Sequence, residues 1–305
     1  MTATAQDFTT RHKTPQTHVE YTREDSMEVV RMLADERLHT TLDFARQLKG
    51  RPYVAHTLER GKEHLVVNLR GLDCATLVET ASALYLARTR MERAKRKPEQ
   101  NTLWTTTQET QQKAANDPWR LFCNALESLR YREGRCTDYL SRLHYLTFWI
   151  ADHLQRGTAK EVAVAQKLLK TRTTDIHFMS RHSDKYEGLK SKEDIKRIAE
   201  QESQFLGEEF CYIPQEKCGL SKKDLGNILD GDLVFIVTSI DGLDYSHQGI
   251  ATWGKDGKLH LLHASSAKKK VIEDDRPLDQ YLKGIKTSLG IRVFRINPSP
   301  RPVRM

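Results

Sequence analysis

The chain has 305 residues, of which 38% are hydrophobic and 30% charged; this composition is typical of a globular protein and excludes a disordered one. The formal net charge is +8, but no aromatic residues interleave with a basic stripe, so nucleic-acid binding is not predicted. No apolar run approaches the roughly 20 residues that span a bilayer. The first residues contain no apolar signal core, so we expect a cytoplasmic protein, or a periplasmic or cell-envelope protein whose signal peptide has been removed.

The first part of the chain is predicted to be mainly helical. Residues 1–24 form a predicted polar N-terminal tail, and residues 25–49 have the apolar spacing of one or two helices that end at Gly50. The segment YVAHTLE at 53–59 and an apolar extended run at 65–69 follow. The next helix is predicted to begin near residue 73 and to end at the sequence KRKPEQN, which starts at residue 95.

The sequence GLDCATLVET at 71–80 places a cysteine where the extended run turns into this helix. Asp73 is a suitable N-cap, and Cys74 would then lie in the first helical turn. Free backbone N–H groups at a helix start favour the thiolate, so the pKa of Cys74 is expected to be lowered. A lone cysteine is more often a small buried hydrophobic residue, so catalysis requires a base and an orienting group as well.

Residues 85–230 are predicted to be a large helical insertion, and residues 231–297 a sheet. Ser191 with Asp194, and Ser221 with Asp224, resemble capping boxes at the starts of two helices. From Gly231 onward, short runs rich in β-branched and apolar residues predict strands: GDLVFIVTS, SHQGIATWG, KLHLLHASS and GIRVFRI. Helices first and strands last indicate an α+β fold with an antiparallel sheet.

Two histidines lie on neighbouring predicted strands, His247 in SHQGIA and His263 in LLHASS. The sequence Lys-Asp-Gly at 255–257 suits a three-residue hairpin loop, which places Gly254 opposite Lys258. In that register the histidines share a face as diagonal neighbours, roughly 7–8 Å apart, and His260 lies on the other face. A two-residue turn would instead put them on opposite faces.

These residues permit acyl transfer by a cysteine nucleophile. Cys74 would attack an amide carbon, His247 would act as general base and acid, and His263 would orient His247. The backbone N–H of Cys74 could face the oxyanion. The five cysteines are an odd number and lack CxxC spacing, so the sequence does not predict a structural zinc site. We expect the other cysteines to be unlinked and buried: Cys123, Cys136, Cys211 and Cys218.

The order LDCATLVE, GDLVFI, SHQGIA and LLHASS resembles the NlpC-type cell-wall cysteine peptidases, a circularly permuted branch of the papain-like fold. The further segments YVAHTLE, SRLHY, FMSRH and YIP make the chain similar to the N-acetylmuramoyl-L-alanine amidase-like family of that superfamily, from about residue 30 to residue 296. The resemblance implies one catalytic domain at 25–297, with a short tail at 298–305.

The resemblance also implies a bacterial enzyme that cuts the amide between N-acetylmuramic acid and L-Ala of peptidoglycan fragments. It implies a preference for muropeptides with 1,6-anhydro-muramic acid, as in cell-wall recycling, and neither a metal nor another cofactor. It supports Cys74 as nucleophile, His247 as base and His263 as orienting residue. The family pattern LDCTTFVE differs at positions 75 and 77, and Gln248 stands where Val is common, which is expected to make the strand face away from the site more polar.

The helical insertion is expected to wall the cleft and to contact the sugar. Tyr53 and His56 in YVAHTLE, and Arg142 and His144 in SRLHY, are the candidate substrate contacts. Each has a structural alternative: Arg142 would be a buried ion-pair partner and His144 a helix-packing residue.

Other functions remain open from the sequence alone. The same chemistry would serve an endopeptidase that cuts between D-Glu and the diamino acid of the stem peptide, or an acyltransferase. A non-catalytic muropeptide-binding protein on the same fold is a second class, which the intact set of Cys74, His247 and His263 disfavours. An antibacterial effector with amidase activity is a third.

Overall fold

The computed structural model describes residues 18–59, 61–96 and 117–299, which form helices packed on a large sheet. The α-helices in these ranges are α1 (Arg23–Ala34), α2 (Thr41–Gln47), α3 (Cys74–Arg96), α4 (Pro118–Arg130), α5 (Leu146–Gln155), α6 (Phe178–Arg181), α7 (Lys192–Ser203) and α8 (Leu278–Lys283). The strands are β1 (Val19–Glu20), β2 (Leu65–Val66), β3 (Ala159–Glu161), β4 (Lys170–Thr173), β5 (Glu209–Pro214), β6 (Leu233–Thr238), β7 (Tyr245–Trp253), β8 (Leu259–Ser265), β9 (Lys270–Glu273) and β10 (Ser288–Ile296).

The main sheet is antiparallel, with strand order β4-β5-β10-β6-β7-β8-β9. Strand β10 lies in the middle: β6 pairs along one of its edges, while β5 and β3 share the other edge. Strands β1 and β2 form a separate two-residue parallel pair. The predicted combination of helices with an antiparallel sheet is confirmed.

Both faces of the sheet are covered, which explains the uninterrupted apolar sequence of β6. All six residues of this strand are buried. Phe235 and Val237 pack into the core beneath α1–α4, whereas Val234 and Ile236 pack on the other face with Leu278 and Leu282 of α8. A strand buried on both faces loses the polar alternation of a half-exposed strand.

The start of β6 is tied to β10 by a buried carboxylate. Asp232 is 2% exposed. It accepts hydrogen bonds from Nε and Nη2 of Arg295, at 2.6 and 2.8 Å, and one from the backbone N–H of Leu229 at 2.8 Å. The Gly-Asp pair before this strand therefore has a structural role, in which a paired and hydrogen-bonded charge fixes two central strands together.

Helix α3 is the central helix of the larger layer. It packs between α2 and α4 and against β7 and β8. Its buried residues share one core with the neighbouring elements: Leu77, Ala81 and Leu84 from α3, Phe122 and Leu126 from α4, and Ile250 and Leu262 from the sheet. Because α3 is held on several sides, the position of its first residue is fixed relative to the sheet.

The segment assigned to a helical insertion is less helical than predicted. Strands β3, β4 and β5 lie within residues 85–230, and β3 and β5 join the main sheet through β10. Residues 221–230 form turns instead of the predicted capped helix, although Ser221 Oγ still bonds to Asp224 Oδ2 at 2.6 Å. Ser191 does cap α7, accepting the backbone N–H of Asp194 at 3.0 Å.

The predicted tails are covered only in part. Strand β1 and the start of α1 lie inside the segment 1–24 that was assigned to a polar tail. Residues 1–17, 300–305 and most of the predicted KRKPEQN break fall outside the described residues. Among the helices of the described ranges, none has the length and apolar character that a membrane crossing requires.

Gly290 marks the closest approach between β5 and β10. Its φ is +153°, and an added Cβ would lie 2.1 Å from the carbonyl oxygen of Ile213. We expect Gly290→Ala to lower the free energy of unfolding by about 3 kcal/mol or more, because backbone cannot move aside as a flexible side chain can. Urea unfolding followed by circular dichroism measures this change.

Gly207→Ala is the matched control. Gly207 also has a positive φ, +82°, but an added Cβ would meet nothing within 4 Å. Gly207→Ala should lower the free energy of unfolding by only about 1 kcal/mol, the cost of placing a residue with a Cβ in this backbone conformation. Equal losses for the two variants would show that the contact between β5 and β10 at Gly290 is not tight.

Candidate active site

The start of α3 has the predicted cap. The side chain of Asp73 accepts the backbone N–H of Thr76 at 2.8 Å, and Thr76 Oγ1 accepts the backbone N–H of Asp73 at 2.9 Å. Cys74 is the first residue of the helix. The reciprocal bonds fix the chain direction at this point, so the thiol and the free N–H groups of the first turn have defined positions.

The hairpin of β7 and β8 has the predicted register. Gly254 donates its N–H to the carbonyl of Lys258 at 2.8 Å, and Gly257 adopts the left-handed conformation with φ +72°. Ile250 accordingly faces Leu262. The three-residue loop, and not the two-residue alternative, therefore decides which side chains share a face.

This register brings the two histidines into direct contact. Nε2 of His247 lies 2.7 Å from Nδ1 of His263, and the two rings meet edge to face with centroids 5.0 Å apart. His260 lies on the other face, where its ring bonds to the Asp256 carboxylate and the carbonyl of Asp274. A hydrogen bond at this distance requires a proton on one of the two facing nitrogens and a lone pair on the other. The contact therefore couples the tautomers of the two rings.

A carboxylate that the sequence analysis missed lies behind His263. Nε2 of His263 is 3.8 Å from Oδ2 of Asp274 and has no hydrogen-bond partner in the described part of the chain. Asp274 follows β9 directly and is held by Arg276, whose Nε and Nη2 donate at 2.9 and 2.8 Å. The signal available in the sequence was the acidic run that begins at Glu273, the last residue of β9, the strand that pairs with β8.

Both histidines are held neutral. Burial, and then the proximity of His263, lower the pKa of His247 to about 3. Burial lowers the pKa of His263 to about 4, although the carboxylate of Asp274 acts in the opposite direction. Burial acts to raise the pKa of Asp274, but the hydrogen bonds from Arg276 outweigh it and keep the pKa below its usual value. The resting pair is therefore uncharged beside a carboxylate that is already ionised.

The thiol does not have the lowered pKa expected at a helix start. Burial, and after it the charge of Asp73, raise the pKa of Cys74 to about 12, and backbone hydrogen bonds with Gln248 and Ala75 oppose this only in part. The expectation is wrong because removal from water destabilises the thiolate more than the N–H groups of the first turn stabilise it. Cys74 is thus a protonated thiol, and His247 is a neutral imidazole.

Cys74 and His247 line one cavity of about 180 Å³. His144 and Gln248 also line it. Gln248 is 8% exposed. Gln248 pairs with Phe235, on the face of β7 that packs beneath α3, whereas His247 pairs with Ile236 on the other face. Burial, and after it the charge of Arg142, lower the pKa of His144 to about 3, and its Nε2 lies 2.7 Å from the carbonyl oxygen of Tyr139.

A second cavity, of about 420 Å³, meets the first at Ser246 and His247. His263, Lys268 and Arg276 contribute to its wall. His247 and Ser246 therefore lie between two spaces, one lined by Cys74 and a larger one whose wall includes Lys268 and Arg276.

The YVAHTLE segment runs beside the helix start. The N–H of Tyr53 donates to the carbonyl of Lys269 at 2.9 Å, and Tyr53 pairs with Leu72, two residues before Cys74. Burial, and then the charges of Cys74 and Asp73, raise the pKa of the half-buried Tyr53 phenol. His56 is exposed, outside both cavities, and has a φ of +60°, which is strained for a residue with a Cβ.

Arg142 has the structural role that was the alternative to substrate contact. It is 6% exposed. Its Nη2 lies 2.7 Å from Oε1 of Glu59 and 3.5 Å from Oε2 of Glu63. The carboxylate of Glu59 also accepts the Tyr139 hydroxyl at 3.1 Å. Arg142 therefore anchors the end of the YVAHTLE segment and does not line the cavity that contains Cys74.

The remaining cysteines are free thiols. Cys123 and Cys218 are buried, whereas Cys136 and Cys211 are only partly buried. Within the described ranges, no cluster of three or more His, Cys, Asp or Glu side chains could hold a metal ion.

Solved structures similar to this chain come from several bacteria. Two structures of an N-acetylmuramoyl-L-alanine amidase from Bacteroides uniformis are 35% and 34% identical, with TM-scores of 0.69 and 0.70. Each covers 85% of this chain, over 97% and 100% of its own length. A Bacteroides fragilis protein with the provisional name of a xylanase is 33% identical, with a TM-score of 0.68, covering 84% of this chain and 100% of its own.

A Legionella pneumophila protein that is 20% identical shares the fold, with a TM-score of 0.60, covering 92% of this chain and 96% of its own. No curated protein matches the chain. The family model of the N-acetylmuramoyl-L-alanine amidase-like proteins matches residues 43–291, which include both histidines and the cysteine helix. With this match over most of its length, the chain belongs to the N-acetylmuramoyl-L-alanine amidase-like family.

Proposed function

We propose that this protein is a cysteine amidase that hydrolyses the amide between N-acetylmuramic acid and L-Ala in peptidoglycan fragments. The observation that carries the proposal is the shared cavity of Cys74 and His247, with His247 bonded at 2.7 Å to His263. Family membership supports the bond that is cut. Nucleophile, base and orienting residue are the groups that acyl transfer requires.

The contact between the histidines determines how the proton moves. Nε2 of His247 faces His263, so Nδ1 is the ring atom available to take the proton of Cys74. The sulfur then forms a bond to the lactyl carbonyl carbon. As the tetrahedral intermediate collapses, the C–N bond breaks and the leaving amine of L-Ala takes the proton from His247. Water attacks the resulting thioester, His247 takes one of its protons, and the thiol is restored as the sugar acid leaves.

The oxyanion would be stabilised at the helix start. The backbone N–H of Cys74 belongs to the first turn of α3, whose N–H groups have no intrahelical acceptor. The phenol of Tyr53, whose pKa responds to the charge of Cys74, is a second candidate donor. His144 contributes to the cavity wall and would contact the substrate, and the exposed His56 would contact it at the rim.

Asp274 would act through the histidines as a positioning residue. When His247 accepts the thiol proton, a positive charge appears in a buried pair. Asp274, ionised and 3.8 Å from His263, would stabilise that charge and hold the tautomer in which His263 Nδ1 accepts. Arg276 would keep the carboxylate in place.

The finer fold assignment belongs to the same proposal. A helix that begins with the cysteine and precedes a sheet that carries the histidine supports a papain-like NlpC-type core, and its circular permutation is proposed from the sequence resemblance. We further propose one catalytic domain at 25–297, with residues 85–230 as an insertion that forms part of the cleft. We also propose a preference for the 1,6-anhydro sugar, because the cleft would distinguish this end of the substrate from a reducing end.

A glycosidase is the weaker candidate. Most glycoside hydrolases need two carboxyl groups facing the scissile bond. The cavity of Cys74 contains one, Asp244, which accepts a hydrogen bond from Thr147 at 2.9 Å, and the neighbouring cavity contains none. The site therefore favours an amide substrate.

The first prediction concerns the bond and the nucleophile. Wild-type protein should release free tetrapeptide from an anhydro-disaccharide-tetrapeptide, faster than from its reducing-end counterpart. Cys74→Ala should lose at least about 1,000-fold in kcat, because no other group in the cavity can form the thioester. Mass spectrometry of the products measures both results.

Cys211→Ala is the control, since Cys211 lies on β5 and outside the cavity. Release of a shortened glycopeptide would move the cut into the stem peptide and support the endopeptidase. No cleavage by wild type would contradict the amidase and favour a binding protein or an acyltransferase.

The second prediction concerns Asp274. Asp274→Asn should lower kcat about 10-fold with little change in KM, as expected of a partner that orients a catalytic ring. Loss of the carboxylate also lowers the pKa of the histidine pair, so the acid limb of the kcat profile should move to lower pH. Asp275→Asn, at the exposed neighbouring position, is the control. A loss of stability without movement of the acid limb would mean that Asp274 is only structural.

The third prediction concerns the resting thiol. Because the pKa of Cys74 lies near 12, its alkylation by iodoacetamide should be slow at neutral pH and rise without a plateau up to about pH 10. Rates are measured by mass spectrometry, with Cys74→Ala as the blank for the other cysteines. A plateau below about pH 8 would instead reveal a preformed thiolate–imidazolium pair.

A further inference from the structure

The larger cavity beside the histidine pair has a wall chemistry of its own. It has about 420 Å³ of space, enough for a substrate group larger than the reacting amide. It shares Ser246 and His247 with the cavity of Cys74. A substrate whose amide lies against Cys74 would therefore reach the larger cavity with a group close to the cleaved bond.

The wall combines positive charge with hydroxyl groups. Lys268 and Arg276 are its charged residues, and Ser265, Ser266 and Thr287 contribute hydroxyls. None of its lining residues is a carboxylate. Arg276 uses Nε and Nη2 for Asp274, which leaves Nη1 as a donor, and no carboxylate in the described ranges pairs with Lys268. This set of donors matches an anion.

The turn that carries Lys268 is fixed in place. The backbone N–H of Lys268 donates to Ser265 Oγ at 3.1 Å, and the carbonyl of Lys269 accepts from Tyr53 at 2.9 Å. Lys269 has a φ of +56°, an uncommon conformation that these contacts maintain. Arg276 is held on the other side by Asp274 and by its position over the ring of Tyr281. The backbone of the turn and the Arg276 side chain are therefore held, and the exposed side chain of Lys268 is the part that a ligand would still have to order.

We propose that this cavity binds a carboxylate of the peptide part of the substrate, with Lys268 and Arg276 as its cationic ligands. The inference rests on the proposed function. A stem peptide that begins with L-Ala offers several such groups, among them the carboxylate of the glutamyl residue and that at the C terminus. The net charge of +8 would attract these anionic fragments, and the cavity would hold one carboxylate while the amide meets Cys74.

The test uses three muropeptides: one with free carboxylates, one amidated at the glutamyl carboxylate and one amidated at the C terminus. Wild type should show a KM about 10-fold higher for one amidated form, with kcat nearly unchanged, since a charged hydrogen bond is lost on binding. The affected form identifies the carboxylate. Lys268→Ala should raise KM for the unmodified substrate about 10-fold and remove the difference in KM between the three substrates. Lys268→Arg, which keeps the charge, should restore the wild-type KM and the difference.

Lys255→Ala, in the exposed turn between β7 and β8, is the matched control and should keep the wild-type preference. Equal KM values for all three substrates in wild type, or a preference that survives in Lys268→Ala, would overturn this inference while leaving the amidase intact. Failure of wild type to cleave any of the three would overturn the proposed function, and the inference with it.

Discussion

The turn at 255–257 sets which face of the sheet each side chain of β7 and β8 occupies. Because Gly257 accepts a left-handed conformation, the loop has three residues, and His247 and His263 meet at 2.7 Å. A loop shorter by one residue would turn one histidine to the opposite face. The contacts behind His263 depend on the same register, since β9 pairs with β8 and ends directly before Asp274.

Burial controls the charge state of the whole site. The same loss of water keeps both histidines neutral and the Cys74 thiol protonated, so the resting site carries little charge of its own. Proton transfer from the thiol to His247 would then occur when a substrate is bound, because the thiolate can react at once with the substrate carbonyl. Asp274, which Arg276 keeps ionised, lies 3.8 Å from His263 and would stabilise the positive charge.

The local patterns in the sequence were sufficient for the helix start and the hairpin. Asp73 caps α3 as expected, and the register around Gly254 is the predicted one, because both depend on neighbouring residues. Contacts between distant segments were not predictable in this way. The pairing of β3 and β5 with β10 and the ion pair of Arg142 each join residues far apart in the chain. Asp274 is closer in sequence to His263, but its position behind the ring depends on the pairing of β8 with β9, a strand that the sequence analysis did not predict. The predicted lowering of the Cys74 pKa was wrong because burial is a property of the assembled fold, which neighbouring residues in the sequence do not reveal.

The central position of β10 has a consequence for how the protein is made. Without this strand the sheet would fall into separate parts, because among the described strands β3 and β5 connect to β6 only through it. During synthesis, β3 and β5 therefore lack their partner strand until β10, at residues 288–296, has left the ribosome. Unpaired strand edges are templates for wrong pairing, and contacts of long sequence separation form slowly. Helix α3 can contact its neighbours early, but the sheet that carries His247 is complete only when β10 has been added.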